Sequence, residues 1–250
     1  MSYTAIMLRR NMKHGLRDPG AMMLSVVMPV VLLLLFVGVF GGALQVGVAH
    51  GAYVDYLVAG ILVMTVGYGS STMSLMLTRD MASGVVNRFR TMAVPRASVL
   101  TGHVLGSVIR TVVSVLLVIA VALLLGFRPT TDPVRWLALL GMVVLLTLAL
   151  TWVGVAVGLA ARTPEAGMPF VFLLQTLPLL SSAFVPTDSM SGAVRWFAAH
   201  EPFTPITDTL RGLVLDTPVD GALAAVLWCV GLALVGYLAS RALFGRDPRT

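Results

Sequence analysis

Nucleophilic, metal or phosphate chemistry in this chain would have to come from its serines, eleven carboxylates, four histidines, one cysteine and one lysine. The stretch Gly67-Tyr68-Gly69-Ser70-Ser71 sets two hydroxyls inside a long apolar run, where an intramembrane serine nucleophile would stand. Such a serine needs a base within hydrogen-bond reach. His14, His50, His103 and His200 all lie outside the apolar runs or at their mouths, and no carboxylate falls within one. Small hydroxyl residues let helices approach closely, so helix packing or the lining of a polar path suits these serines better than catalysis. A phosphate-binding loop of the G-x-x-x-x-G-K-[ST] type needs a lysine that reaches the terminal phosphates. Lys13 stands between Met12 and His14, which excludes ATP hydrolysis by that route. Cys229 sits alone in an apolar run, so neither an intrachain disulfide nor a cysteine metal site is expected, and no His, Cys or carboxylate cluster has metal-ligand spacing.

With little chemistry available, composition defines the class. The chain has 250 residues, of which 58% are hydrophobic and 11% charged, and its mean hydropathy is +0.93. A soluble domain carries roughly 25% charged residues, so this is read as an all-α polytopic membrane protein. The net charge of +6 is scattered in short stretches between apolar runs, which argues against a nucleic-acid partner. The first residues are polar to mixed, and the apolar stretch after them is long enough to span, unlike a cleavable signal peptide.

A bilayer core takes about 20 apolar residues as helix. Six runs qualify as transmembrane helices: Met22–Phe40, Tyr56–Leu77, His103–Phe127, Val134–Ala160, Met168–Val185 and Ala222–Phe244. The fifth is the shortest and contains Pro169 and Pro178, so a break is expected there. Cationic side chains fix the orientation. Twelve of the seventeen lysines and arginines fall on the side of the termini, four (Arg128, Arg135, Arg195, Arg211) fall on the other, and Arg110 lies within the third run. Both termini are therefore expected in the cytoplasm. Arg110 is expected to snorkel to the interface, and His103 to sit at the mouth of its run. Ion-coupled transporters place ionisable groups near the midplane, and here the midplane is almost free of them. Energy for uphill movement would have to come from elsewhere.

Three polar segments complete the reading of residues 1–250 as one transmembrane domain. In residues 1–20, Ala5, Leu8, Met12 and Leu16 make an apolar line opposite Arg9, Arg10, Lys13, His14 and Arg17. That pattern suits an amphipathic helix in the membrane interface; a frayed basic tail is the alternative. Residues 186–221 interleave Val194, Trp196, Phe197, Phe203 and Leu210 with polar residues and with Pro202, Pro205 and Pro218. Aromatic residues favour the interface, so short helices at the outer leaflet are expected before the last span, against the alternative of an ordinary loop. Residues 79–96, RDMASGVVNRFRTMAVPR, carry four arginines and Asp80. Their Met81, Val85, Phe89 and Met92 recur at helical spacing around Gly84, and Pro95 closes the stretch. Such a face suits a short cytoplasmic helix on which a soluble partner pushes; a basic loop that only fixes topology is the alternative.

Asp80-x-x-x-Gly84 followed by Arg88, Arg90 and Val94-Pro95-Arg96 resembles the cytoplasmic motif of exporter-type ABC permeases, the class that includes daunorubicin-resistance and polysaccharide-export permeases. Arg17-Asp18-Pro19 before the first span, with Pro29 inside it, is similar to the N-terminal entry of that family. Glu201-Pro202-Phe203-Thr204-Pro205 with Asp208, Leu210 and Arg211 is similar to the motif before its last span. Two positions depart from the pattern: Asp80 stands where glutamate is common, and Glu201-Pro202 where Asn-Pro is common. The drug-resistance subgroup matches best, chiefly through Asp80–Ser98.

The resemblance implies a membrane permease in a bacterial plasma membrane, non-catalytic itself, that pairs with a second permease chain as homodimer or heterodimer. Each permease would bind a separate ATP-binding cassette subunit, which would hold ATP and Mg. Asp80, Gly84, Arg88, Phe89, Arg90 and Pro95 would form the coupling helix docked on that subunit, and the basic N-terminal helix would be a second contact. The cargo would be hydrophobic or amphiphilic: a drug, a secondary metabolite or a lipid-like compound. Tyr68, Ser70, Gln175 and Ser181 are the sparse polar groups that would line its path, although hydrogen bonding between helices explains them equally well. Different readings of the same residues are a stand-alone channel or secondary transporter, and a membrane assembly factor without a path.

Overall fold

A computed structural model describes residues 20, 23–40, 53–82, 96–161, 163–219 and 221–245. The described residues are helical or in turns, with no strand among them. Eight α-helices follow in order: α1 (Met28–Leu35), α2 (Tyr53–Ala82), α3 (Arg96–Leu124), α4 (Pro133–Ala160), α5 (Pro164–Thr176), α6 (Gly192–His200), α7 (Phe203–Leu215) and α8 (Ala222–Gly245). Four of them, α2, α3, α4 and α8, are long and apolar enough to cross a membrane.

Local chemistry sets several boundaries. Proline lacks an N–H, and its ring crowds the carbonyl four residues back. Pro29 therefore opens α1 directly after a widened π-turn at Met23–Val27, and a second π-turn, Phe36–Phe40, follows the helix. Helix α4 starts where the Asp132 carboxylate accepts the backbone N–H of Val134 at 2.9 Å, with Pro133 in the first turn. That is the N-cap arrangement short acidic side chains favour. Thr163 caps α5 in the same way through Ala166 N at 3.4 Å. Pro178 then turns α5 into a 3₁₀ turn at Leu177–Leu180, and a non-helical turn follows over Ser181–Phe184.

Helix α2 is the axis of the bundle. It packs against α1, α3, α4, α5 and α7, and every residue of its most apolar 18-residue stretch is buried. Close approach depends on glycine. A Cβ on Gly60 would stand 2.5 Å from the Ala183 carbonyl oxygen, and one on Gly67 would stand 3.2 Å from that of Leu174. Gly167, near the start of α5, lies beside Thr78 and Leu75. The α5 segment therefore runs antiparallel along α2 from Thr78 to Gly60, a rise of about 27 Å at 1.5 Å per residue. Helix α8 attaches to the outside of α4. A Cβ on Gly236 would stand 2.5 Å from Val153 N, Ser240 Oγ donates to the Trp152 carbonyl at 3.3 Å, and Trp152 meets Tyr237 edge-on at 5.0 Å.

The two ends of the bundle differ. One carries the start of α2, the α3–α4 connection and the paired short helices α6 and α7, and is called here the hairpin end. The other carries Arg79, the start of α3 and the start of α5. Helix α2 continues through Ala82 rather than stopping at Leu77, so Arg79 and Asp80 belong to its last turn. Residues 83–95 and the proposed N-terminal interfacial helix at residues 1–19 lie outside the described residues.

Candidate functional site

At the hairpin end, polar groups from three elements converge on Arg211. Asp208 and Arg211 are three apart on α7, and Thr204 lies four before Asp208, so all three share one helix face. That face meets the first turns of α2 and the turn after α5. The Arg211 guanidinium lies 3.8 Å from the centroid of the Tyr56 ring. Its Nη2 donates to the Ser182 carbonyl at 2.7 Å, its Nε to the Tyr56 carbonyl at 3.3 Å and its Nη1 to Asp208 Oδ1 at 2.6 Å. Tyr56 Oη donates to the same Ser182 carbonyl at 2.7 Å. Ser182 Oγ donates to Asp208 at 2.8 Å, and its N–H donates to Thr204 Oγ1 at 3.1 Å. Arginine suits this position because its planar fork can serve several acceptors while its face stacks on an aromatic ring.

Both ends of α7 are anchored independently of that cluster. At its start, buried Glu201 accepts the N–H groups of Phe203 at 2.8 Å and Thr204 at 2.6 Å. Burial pushes its carboxyl up to about 7, and the backbone and Thr204 hydrogen bonds pull the other way. At its far end the chain turns through Asp216 in the left-handed region, φ 59°. There Arg135 of α4 donates to the carbonyls of Gly212 at 2.9 Å and Thr217 at 3.2 Å, and pairs with Asp216 at 2.7 Å. Thr130 N donates to the Val214 carbonyl at 2.7 Å beside it. Phe203, Ile206, Leu210 and Val214 form the apolar face of α7 that joins the core.

In the middle of the bundle, Thr151 Oγ1 on α4 shares hydrogen bonds with Ser70 Oγ of α2 at 3.4 Å and Ser107 Oγ of α3 at 3.2 Å. This joins the three helices through fully buried hydroxyls. Arg110 is half-buried, with Nη1 donating to Met76 Sδ at 3.7 Å, and His103 is buried near the start of α3. Among the described residues no group of three His, Cys, Asp or Glu is placed to hold a metal.

The residues singled out from the sequence divide as follows. Asp80 lies in the last turn of α2. Gly84, Arg88, Phe89, Arg90 and Pro95, and Arg9, Arg10, Lys13 and Arg17, lie outside the described residues. Tyr68, Ser70, Gln175 and Ser181 fall on two adjoining elements, α2 and the α5 segment. Tyr68, Ser70 and Ser181 are buried, whereas Gln175 is half-exposed. Ser181 Oγ donates to the Pro178 carbonyl at 2.7 Å and accepts from Ala183 N at 3.1 Å, which stabilises the turn after α5. Tyr56, Ser182, Arg135 and Asp216 were not foreseen. Asp208 and Arg211 carried a signal in their i,i+3 spacing, but neither the tyrosine ring nor the serine carbonyl that completes the cluster leaves one.

Comparison with known proteins places the chain. The family model described as ABC-2 type transporter matches residues 3–215. The chain is 28% identical over 236 residues to a daunorubicin resistance ABC transporter permease protein, DrrB1, of Streptomyces coeruleorubidus, covering 94% of this chain and 80% of that protein. It is 26% identical over 237 residues to a probable doxorubicin resistance ABC transporter permease protein, DrrC, of Mycobacterium tuberculosis, covering 94% of this chain and 85% of that one. Apolar helices able to span a bilayer, no phosphate-binding loop and a match along most of the length agree with one another. The chain belongs to the ABC-2 type transporter family and is the membrane subunit of an ABC exporter.

Proposed function

We propose that this permease exports hydrophobic or amphiphilic compounds across a bacterial plasma membrane, energised by ATP and Mg on a separate ATP-binding subunit. Helix α2 is the observation that carries this reading. It is an enclosed rod with Asp80 at one end and the Arg211 cluster at the other, and a push on its Asp80 end has no slack to be lost in. The cationic bias of the sequence puts the Asp80 end in the cytoplasm, with both termini, and puts the hairpin end outside. Asp80, Gly84, Arg88, Phe89, Arg90 and Pro95 then form the coupling surface, with Arg9, Arg10, Lys13 and Arg17 as a second contact.

Residues 1–250 act as one permease domain with six spans. Two facts support the spans that are not long single helices: α1 is flanked by helical π-turns from Met23 to Phe40, and the α5 segment follows α2 for about 27 Å, close to the roughly 30 Å of a bilayer core. Helices α6 and α7 lie at the outer leaflet, a reading supported by the exposed Trp196 and Phe197 of α6, since aromatic rings favour the membrane interface. Two permease chains, alike or related, complete the exporter. The cargo path follows the α2–α5 seam, with Gln175 on its accessible side and Tyr68 and Ser181 reached as the seam opens; Ser70, on the α4 side of α2, would line it only deeper in the bundle. The names of the relatives, which concern resistance to daunorubicin and doxorubicin, support a small amphiphilic cargo.

Replacing Asp80 with arginine tests the coupling. The variant is expected to insert normally, to lose co-purification of the ATP-binding subunit and to lose ATP-driven transport of an amphiphilic dye in proteoliposomes. Normal co-purification together with normal transport would overturn the assignment.

A further inference from the structure

At the hairpin end, the elements that any outward path must separate converge on one side chain. Arg211 reaches from α7 to the first turn of α2, through the Tyr56 ring and carbonyl, and to the turn after α5, through the Ser182 carbonyl. The Ser182 carbonyl also holds Tyr56 Oη, so that one oxygen ties all three elements. Directly beside it, Ala183 presses on Gly60 with no room for a Cβ. The seam between α2 and the α5 segment is thus shut at this end by a polar clasp over a tight backbone contact.

The clasp has the properties of something that opens. Its ion pair does not cross between the elements. Asp208 and Arg211 lie on the same helix, three residues apart and 2.6 Å from each other. When α7 parts from α2 and from the turn after α5, Arg211 gives up two carbonyls and a ring face but keeps its counter-ion. Opening therefore strands no bare charge, which is the step that makes a buried ion pair costly to break. Asp208 is also 47% exposed, so water can replace the lost bonds at once. A fixed point is present as well. Arg135 fastens the far end of α7 to α4 through Gly212, Thr217 and Asp216, and none of those bonds involves α2 or the α5 segment.

We propose that Arg211, with Tyr56, Ser182 and Asp208, is the latch of the exit. Arg211 is a positioning residue for export: it holds the hairpin-end seam closed at rest, and the seam opens as Arg211 lets go of α2 and of the turn after α5 while Arg135 keeps α7 on α4. The proposal rests on the reading of this chain as an export permease whose hairpin end faces outward.

The test uses a cysteine pair at positions 182 and 204, whose backbone N–H and hydroxyl are 3.1 Å apart, with the native thiol removed by Cys229→Ala. In the permease bound to its ATP-binding subunit without nucleotide, the pair is expected to oxidise readily. With ATP and vanadate the cross-link yield is expected to fall several-fold. Arg211→Gln, which cannot reach both elements, is expected to lower the nucleotide-free yield towards the trapped level. Tyr56→Phe, which keeps the ring and loses one bond, is expected to fall between. Co-purification of the ATP-binding subunit reports that each variant is folded, and should Arg211→Gln fail to assemble, Tyr56→Phe and the nucleotide comparison decide. A complex that hydrolyses ATP with the same cross-link yield in every state overturns the latch and leaves the export reading standing. Failure of any ATP-binding subunit to assemble overturns the export reading instead. The permease alone then still decides whether Arg211 holds the seam, because an Arg211→Gln yield equal to that of the unaltered clasp rejects it.

Discussion

Helices α2 and α8 are both long enough to span a membrane, yet they occupy opposite positions in the molecule. All of the most apolar stretch of α2 is buried, against 17% of that of α8. Helix α2 is the less hydrophobic of the two. Its interior-facing residues include Thr65, Ser70, Ser71, Thr72, Ser74 and Thr78, whereas α8 presents Leu223, Leu227, Leu234, Val235 and Leu238 outwards. A water-soluble protein would show the reverse. Between helices in a bilayer the hydrophobic effect gives no preference for the inside, since lipid tails are as apolar as leucine. Association relies on close backbone approach and on hydrogen bonds, so the glycine- and hydroxyl-bearing helix goes to the centre. Helix α8 follows the same rule along its one buried seam, where Gly236 and Ser240 meet Trp152.

The sharpest way to break this contrast is to fill a glycine on each helix. Gly60→Leu drives a side chain into the Ala183 backbone, where even a Cβ would be 2.5 Å from the carbonyl oxygen, while a Cβ on Gly231 of α8 would meet nothing within 4 Å. Over-packing costs about 1–3 kcal/mol when neighbours can yield, and backbone yields least. Gly60→Leu is expected to abolish recovery of monodisperse permease in size-exclusion chromatography, and Gly231→Leu to leave it unchanged. Equal tolerance of the two would show that α2 is not the enclosed helix.

Proton linkage gives a second, smaller contrast, because the hairpin buries a carboxylate where α8 buries only thinly polar groups. The Glu201 carboxyl is raised from its ordinary 4.5 to about 7 by burial. Its protonated form is therefore favoured in the fold. The stability it contributes is complete below about pH 4.5 and is lost as pH rises through about 7. The start of α7 should loosen over that window. Amide hydrogen exchange at 203, 204 and 206, corrected for intrinsic rates, is expected to speed up with pH in the native chain and to stay level in Glu201→Gln. A native chain without such a trend would remove Glu201 from the polar interior as a titrating group.

The finest contrast compares a hydroxyl with a hydrocarbon. Thr151→Val removes the partner of both Ser70 and Ser107 and is expected to cost about 1 kcal/mol in bilayer or bicelle unfolding, the scale of interhelical hydrogen bonds in membranes. Leu234→Ala, at a residue of α8 that is 55% exposed, is expected to change stability by about half a kcal/mol or less. A larger loss at Leu234 would mean that this face is covered by protein rather than lipid.

Much of the helical layout could be read in the sequence, because apolar runs and their caps are local. Val134–Ala160 differs by one residue from the observed Pro133–Ala160, since Asp132-Pro133 is a start signal on its own. Helix α2 is longer at both ends than its apolar run because a helix continues past the last apolar residue into the interface, through Asp55 and Arg79. Pro178 marks where α5 stops being α-helical, but not that the following turn would lie on Gly60. The Arg211 cluster was half legible. Asp208 and Arg211 announce themselves by spacing, while Tyr56 lies 155 residues from Arg211 and is chosen only by the register in which α7 meets α2. Ser70 shows the opposite ambiguity: a hydroxyl that lines a path and one that ties helices have the same residue type, and only its Thr151 partner reveals the bond it makes.

The enclosed position of α2 also constrains how the protein is made. Its hydroxyls and glycines contribute little of the favourable transfer energy that leucine or valine supplies at a helix centre. The helix is thus poorly retained by lipid until its neighbours arrive. One of those neighbours, the turn bearing Ser182, is synthesised 126 residues after Tyr56. At 5–20 residues per second this is a wait on the order of 10 s, during which α2 needs shelter beside the insertion machinery or an early pairing with α3. Chains halted between these two points should show α2 slipping back out of the bilayer, so that the order of synthesis, and not only the final packing, decides whether the centre of the permease forms.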